Sequence, residues 1–263
     1  PHNFEQGLPF SMVYPKLPLD EYLNRRNRIY VPKLDWIIST LNKLEYTSHD
    51  IQNNVWVEIG SGAGYFLSAA KESGIEQITG YEVDKELVNI SKLYNNESLT
   101  SLSVGSFSEI LDQTNADIYC SFFVLEHIPN LKQVWDSLYK KKVGTIFIFS
   151  VPMFGYSCLL EQAFPDEYAR NLDGVVHTQM FTESSIKFGL TSAGYDLIGE
   201  WVFGQDISDL SRVLKVRAME NLGKTKIFET LINGVNSSHD AMQAALDVNS
   251  LSDQRHYIAI RSK

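Results

Sequence analysis

The chain has 263 residues, 44% of them hydrophobic and 21% charged, a balance that suits a soluble globular protein with a sizeable core. Its net charge of -9 argues against a nucleic-acid-binding surface, and two cysteines, Cys120 and Cys158, cannot build a disulfide framework. Both sit in apolar surroundings, and the first residues lack the charged-then-apolar layout of a signal peptide, so a reducing, cytoplasmic setting is expected. The longest apolar run, Val143 to Leu160, is interrupted by Ser150, Pro152, Gly155 and Ser157; it reads as a central strand and a loop, with no membrane span.

In the first 19 residues, Pro9, Pro15 and Pro18 exclude a continuous helix. Asp20 then caps a helical pattern through Leu44, with Tyr22, Leu23, Ile29, Tyr30, Leu34, Ile37, Ile38 and Leu41 apolar and Pro32 splitting it in two. Thr47 to Asn54 reads as a polar connector. An apolar run from Val55 to Ile59, holding Glu58, comes next, followed by Gly60, Gly62 and Gly64 at alternate positions and a helical stripe of Phe66, Leu67, Ala69 and Ala70. That pattern is a buried strand, a tight turn and a helix start. Glycines permit positive φ and close approach, and the helix start presents unpaired N–H groups, so a nucleotide-like ligand is expected.

Strands and helices then alternate: Gln77 to Tyr81, Lys85 to Tyr94, Leu99 to Val104, Phe107 to Leu111, Asp117 to Phe122, Leu131 to Lys140 and Gly144 to Val151. Alternation of this kind implies a parallel sheet covered by helices on both faces, with ligand at the carboxyl ends of the strands. Pro152 to Met180 reads as a loop-rich insertion containing Phe154, Tyr156, Phe164 and Tyr168. Thr182 caps a helix to Ala193, and Tyr195 to Phe203 is the next strand. Two helical patterns, Ile207 to Leu222 and Lys226 to Leu246, meet at Gly223 before a final strand, His256 to Ile260. Gln205 to Gln254 is thus an insertion between the last two strands.

Glu82 ends the second strand, where its carboxylate can accept both hydrogen bonds of a ribose diol; Asp84 better suits capping the next helix. An acid so placed also serves dinucleotides, whose fingerprint requires a small residue where this chain has the bulky Tyr65. Glu58-Ile-Gly-Ser-Gly-Ala-Gly64 instead resembles the first motif of the class I S-adenosylmethionine (SAM) methyltransferases. Asp117-Ile-Tyr-Cys-Ser-Phe-Phe-Val-Leu-Glu-His127-Ile-Pro resembles that family's fourth strand and its exit, with Tyr119 replacing a valine. His177-Thr-Gln-Met-Phe181-Thr182, then Ala193-Gly-Tyr195, resembles a later segment of the same family. The likeness spans about residues 55 to 203 and is nearest to the broad group of ubiquinone-pathway and sugar O-methyltransferases.

The resemblance implies a Rossmann-like fold with a seven-stranded, mostly parallel sheet whose last strand is antiparallel. Residues 1–54 would form an N-terminal cap, 55–203 the SAM-binding core, 204–254 a helical lid or interface, and 255–263 the final core strand. It implies SAM as cofactor, S-adenosylhomocysteine as product, and a cofactor site of Glu58, Gly60, Ser61, Gly62, Gly64, Glu82, Val83, Ser106, Phe107 and Phe122. Glu58 would organise the loop and the methionine end. Ser106 stands where many relatives carry an acid for the adenine, so adenine contact passes to its hydroxyl, to Phe107 or to backbone.

The expected reaction is methylation of a small-molecule or glycan-type acceptor, at oxygen. An alcohol or phenol must lose its proton, and histidine suits that task. His127, just past the fourth strand, and His177, after the loop over the same edge, are the candidate bases, each weighed against a purely structural role. His2, His49, His239 and His256 read as surface or terminal residues. No local spacing such as H-x-x-x-H occurs, so no metal is expected. Arg25, Arg26 and Arg28 read as a solvated helix face, and Phe4, Phe10, Tyr14, Tyr22 and Tyr30 mainly as packing against the core. The alternatives are an NAD(P)-dependent oxidoreductase and a non-catalytic SAM-fold partner subunit. No nucleic-acid partner is expected, and a homodimer is compatible with the sequence.

Overall fold

The computed structural model describes residues 18–44, 47–95, 99–103, 105–166, 171–172 and 177–263. His2, Phe4, Pro9, Phe10, Tyr14 and Pro15, together with Val104, Tyr168 and the side chain of His49, lie outside the described residues.

The described chain opens with α1 (Leu19–Arg25), a π-helical stretch (Arg26–Tyr30) and α2 (Val31–Asn42). Pro32 does not split this helix. It sits in the first turn of α2, and the wider π turn before it accommodates a residue that has no N–H to donate. Asp20 is not the cap but lies inside the first turn of α1, where a negative charge suits the helix dipole. The expected connector at 47–54 contains a short helix, α3 (Ser48–Asn53), begun by a capping box. Thr47 Oγ1 accepts from the Asp50 N–H at 3.1 Å, and Asp50 accepts from the Thr47 N–H at 2.8 Å.

The alternating core follows as β1 (Trp56–Ile59), α4 (Tyr65–Glu72), β2 (Ile78–Glu82), α5 (Lys85–Tyr94), β3 (Thr100–Leu102), α6 (Phe107–Gln113) and β4 (Ile118–Phe122). A single 3-10 turn (Leu125–His127) leads to α7 (Leu131–Tyr139) and β5 (Ile146–Pro152). Then come α8 (Tyr156–Ala163), within the segment expected to be loop-rich, α9 (Glu183–Ser192) and β6 (Tyr195–Val202). The chain closes with α10 (Asp206–Leu222), α11 (Lys226–Val248) and β7 (Gln254–Arg261). The sheet order is β3-β2-β1-β4-β5-β7-β6, with β7 antiparallel to both β5 and β6 and the other pairings parallel. This is the expected Rossmann-like arrangement.

Alternation along the strands sorts the core into two faces. Val57, Tyr119, Phe147, Phe149 and Tyr257 pack with Leu111, Trp135, Leu138 and Leu190 of α6, α7 and α9. Trp56, Ile118, Cys120, Ile146, Ile148 and Ile258 pack with Leu34, Ile37 and Leu41 of α2 and with Phe66 and Leu67 of α4. Glu58 and His256 share the second face by strand parity, which puts them beneath α2.

A buried polar cluster fastens the α10–α11 hairpin to this core. Asp206 and Asp209 are fully buried. Asp206 accepts from the Ser157 N–H at 3.0 Å, Ser157 Oγ at 2.9 Å, Gln243 Nε2 at 3.2 Å and the Asp253 N–H at 3.2 Å. It thereby ties α8, α10, α11 and the start of β7 together. Buried polar groups satisfied in this way specify one packing arrangement, because misplacing any member leaves a desolvated atom without a partner.

Candidate active site

The turn after β1 takes its shape from its glycines. Gly60, Gly62 and Gly64 have φ of 78°, 53° and 75°, a region that side-chain-bearing residues avoid. A Cβ on Gly60 would overlap the Val124 Cγ2 methyl, and one on Gly64 would overlap Ser91 Oγ. A Cβ on Gly62 would meet nothing within 4 Å, so the space above the middle of the turn is open. Tyr22 of α1 buttresses the turn from outside, donating to the Ala63 carbonyl at 3.0 Å and stacking on Tyr65 with centroids 4.4 Å apart. Arg26 ties the same cap to α4 through Glu72 at 2.8 Å and Ser68 at 3.3 Å; Arg25 lies over the Tyr65 ring, and Arg28 is exposed.

Glu82 ends β2 beside this turn. Its Oε2 accepts from the Gly62 N–H at 2.7 Å, and its Oε1 from the Val83 and Asp84 N–H groups at 2.8 and 2.9 Å. Burial raises its carboxyl above the usual range, while these three donors pull the other way. Val83, 55% exposed, offers an apolar side chain next to it. Asp84 caps α5 through the Glu86 and Leu87 N–H groups, as its position suggests.

Glu58 is 2% exposed, and its Oε2 has no hydrogen-bond partner among the described residues. Burial pushes its carboxyl well above the ordinary range; Lys33 opposes that rise and Glu82 adds to it. Lys33, also 2% exposed, is the cation that the sequence reading missed. Its Nζ lies 4.3 Å from the centre of the Phe122 ring, 5.2 Å from Phe123 and 5.4 Å from Tyr30. Burial lowers its pKa to about 7 despite the nearby Glu58. The signal was its place in the stripe of Tyr30, Ile37 and Leu41, where a lysine interrupts an apolar face.

Beyond Lys33 lies an aromatic group that sequence reasoning also missed. His256, read as a terminal surface residue, is in fact 2% exposed, because its strand lies inside the sheet, opposite Ser150 of β5 and Trp201 of β6. Its Nδ1 meets Ser150 Oγ at 2.5 Å, and Trp201, Phe123 and Trp36 surround the ring at 5.0, 5.9 and 6.5 Å. Burial, helped by the Lys33 charge, lowers its pKa well below the ordinary value and keeps it neutral. His239, in contrast, is half-buried on α11 and bonds Ser208 Oγ at 3.0 Å.

The fourth strand's exit brings the predicted histidines together. His127 is buried in the 3-10 turn, and His177 faces it with ring centroids 5.0 Å apart. Glu126 between them is 1% exposed, and burial raises its pKa to about 8. The two segments are joined through the Glu126 carbonyl, which accepts from the Thr178 N–H at 2.8 Å and the Gln179 N–H at 3.0 Å. Ser106 and Phe107 are placed differently from the rest. Ser106 accepts from the Glu109 N–H to cap α6, and Phe107 is buried in the core, so the adenine contacts expected of them compete with structural roles.

The expected cofactor can be tested against these residues. SAM carries a ribose diol and an amino-acid end with one ammonium and one carboxylate. Glu82 beside the open Gly62 position suits the diol; the unpartnered Glu58 oxygen and the buried Lys33 suit the two charges; Ser61 Oγ, also buried and unpartnered, adds a donor. The residues fit.

Comparison with known proteins agrees. No curated protein matches this chain. Among solved structures, it is similar to the magnesium protoporphyrin IX methyltransferase of Synechocystis PCC 6803 with bound SAH, at TM-score 0.57 and 10% identity over 96% of this chain and 93% of that one. A SAM-dependent methyltransferase from Archaeoglobus fulgidus gives TM-score 0.50 and 17% identity over 91% and 99%. One from Mesorhizobium loti gives 0.51 and 13% over 83% and 100%. At such identities these likenesses speak for the fold. Family membership rests on residues 30–200, well over half of the chain, which match the methyltransferase domain. The nicotinamide alternative therefore falls away, and the chain belongs to the methyltransferase-domain family as a class I SAM-dependent methyltransferase.

Proposed function

We propose that this methyltransferase acts on a hydroxyl oxygen of a small-molecule or glycan-type acceptor. The observation that carries the reading is the His127–His177 pair, on a turn whose neighbour Val124 packs directly on Gly60 of the cofactor loop. SAM, when bound, supplies a methyl group already activated on a sulfonium, so the chain's own task is to orient the acceptor, exclude water and manage one proton. Glu58 and Lys33 hold the amino-acid end of the cofactor, Glu82 the ribose, and Phe122 closes the floor beneath Lys33. His127 or His177 takes the proton from the acceptor hydroxyl, a role that fits an imidazole near neutral pH.

The half-buried rings of Trp36, Trp201 and Phe123 around His256 favour a ring-shaped acceptor, planar or sugar, that can stack on them. The α10–α11 hairpin is fastened to α8 as a fixed element by its buried Asp206 and Asp209 anchors. Among the described residues no helix is long and apolar enough to cross a membrane. The test is a panel of phenols, sugars, amines and carboxylic acids incubated with methyl-labelled SAM. Labelled methyl ethers support the reading; label found only on nitrogen or carbon overturns it.

A further inference from the structure

Local spacing gave no reason to expect a metal, yet the fold assembles a ligand set from two distant segments. Glu126, His127 and His177 each offer one atom, and these atoms all lie within 4.8 Å of one another. The His127 Nε2 is 4.0 Å from Glu126 Oε1, so rotamer-scale adjustments bring the three onto one ion at bonds of ~2.1 Å. We propose that Glu126, His127 and His177 hold a divalent transition-metal ion of the Zn2+ class, at which the acceptor's hydroxyl oxygen binds.

Three further observations point to an ion here. Glu126 is 1% exposed, and among the described residues its Oε2 has no hydrogen-bond partner and no lysine or arginine pairs with it. A carboxyl so buried is charged only beside a compensating cation, which an ion here would supply. Second, His177 makes the outer contact common to metal-bound imidazoles: its Nδ1 lies 3.4 Å from the Asn171 carbonyl. Asn171 is itself fixed, since the N–H groups of Asn171 and Leu172 donate to the buried Glu161 at 2.8 and 2.9 Å. Third, the carbonyl of Glu126 takes the Thr178 and Gln179 N–H groups and Thr178 Oγ1, the last at 3.1 Å. Backbone bonds thus lock the segment of the third ligand onto the turn that carries the other two.

Two imidazoles and one carboxylate select a borderline ion such as Zn2+, Co2+, Mn2+ or Fe2+ over Mg2+ or Ca2+, which favour oxygen-rich sets. Three protein ligands leave a position open for an incoming oxygen. A hydroxyl bound there is acidified: its O–H bond breaks, the proton passes to solvent water, and the electron pair stays on oxygen, which keeps its bond to the ion. The histidines then serve the acceptor as ligands of the ion, in place of taking the proton themselves. The use made of the ion rests on the oxygen-acceptor reading, whereas the ion site itself stands independently of it.

The experiment strips the full-length protein with chelator and titrates it with Zn2+ by calorimetry and with Co2+ by visible absorption, while SAM affinity is measured in parallel. One ion per chain is expected, with affinity falling at least about tenfold in Glu126→Gln and in His177→Ala while SAM affinity holds, and with His239→Ala unchanged. The proposal is overturned if wild-type protein that binds SAM shows no saturable uptake of Zn2+, Co2+ or Mn2+. Uptake that survives removal of both His127 and His177 overturns it equally. Full-rate methylation of a hydroxyl in excess chelator removes the ion's role and leaves the oxygen-acceptor reading intact. Specific ion binding joined to methylation only at nitrogen does the reverse.

Discussion

Lys33 and Glu58 are both buried between α2 and the sheet, each 2% exposed, each shifted toward its neutral form by burial and each drawn back toward its charged form by the other. Neither is held by a hydrogen-bond network of the kind that anchors Asp206. A pair left so lightly satisfied is poised for a ligand that carries both charges. Lys33→Met should therefore weaken SAM binding by roughly tenfold or more, the loss of one charge-assisted contact. Calorimetry with S-adenosylhomocysteine measures it directly, and unchanged affinity would remove Lys33 from the cofactor site.

The same pair predicts a pH dependence of stability. The folded pKa of Lys33 lies at about 7, below its ordinary 10.5, so between those values the unfolded chain binds more protons and stability attributable to Lys33 rises with pH. Glu58, His256, Cys120 and Tyr30 face it. Removing Lys33 also lets Glu58 rise further, and that change has the same sign. Lys33→Met should consequently gain most on the wild type below pH 7, and the gain should shrink toward pH 10, by at most about 1.4 kcal/mol for each step of one in pH. Urea unfolding of both proteins at pH 6 and pH 9 reads the difference; an equal gap at both values would contradict it.

Gly60 and Gly62 should part company on substitution. Gly60→Ala drives a methyl into Val124 and should destabilise the fold by ~2 kcal/mol or more. Gly62→Ala meets only open space and the strain of its positive φ, ~1 kcal/mol, yet fills the place proposed for the cofactor. The expected result is a chain with near-normal melting and greatly weakened SAM binding.

Much of this region was legible because its signals are local. The strand, the alternate glycines and the helical stripe lie within one short run, Glu82 follows at the next strand end, and Thr182 does cap α9. What escaped depends on pairing at a distance. His256 looked terminal because only the sheet order reveals that β7 lies between β5 and β6. Lys33 was masked by the apolar residues around it. The Glu126–His127–His177 group needs the 177–179 segment folded back onto the turn after β4, which no spacing rule predicts. Helix α3 was hidden by an aspartate, not a glutamate, in its capping box. Ser106 carries a role that the family pattern did not suggest, since the chain uses its hydroxyl to cap α6.

Asp206 offers a check on the helical hairpin. Replacing it with Ala takes the acceptor from the buried Ser157 and Asp253 N–H groups, while Gln243 Nε2 keeps Asp247 and Ser252, and should cost ~3 kcal/mol or more. Hydrogen exchange should then accelerate in α10 and α11 well before the central strands. Uniform acceleration across the chain would contradict a hairpin fastened at this point.

The edge beside His127 and His177 is proposed to deliver a methyl group to a hydroxyl oxygen. Its most direct test is to carry methyl-labelled SAM through a single turnover on the best acceptor found, and to locate the label by NMR of the product. The account predicts a carbon bonded to oxygen, together with loss of turnover in His127→Gln or His177→Gln at unchanged SAM affinity. Label on nitrogen or carbon, or full turnover in both variants, would contradict it.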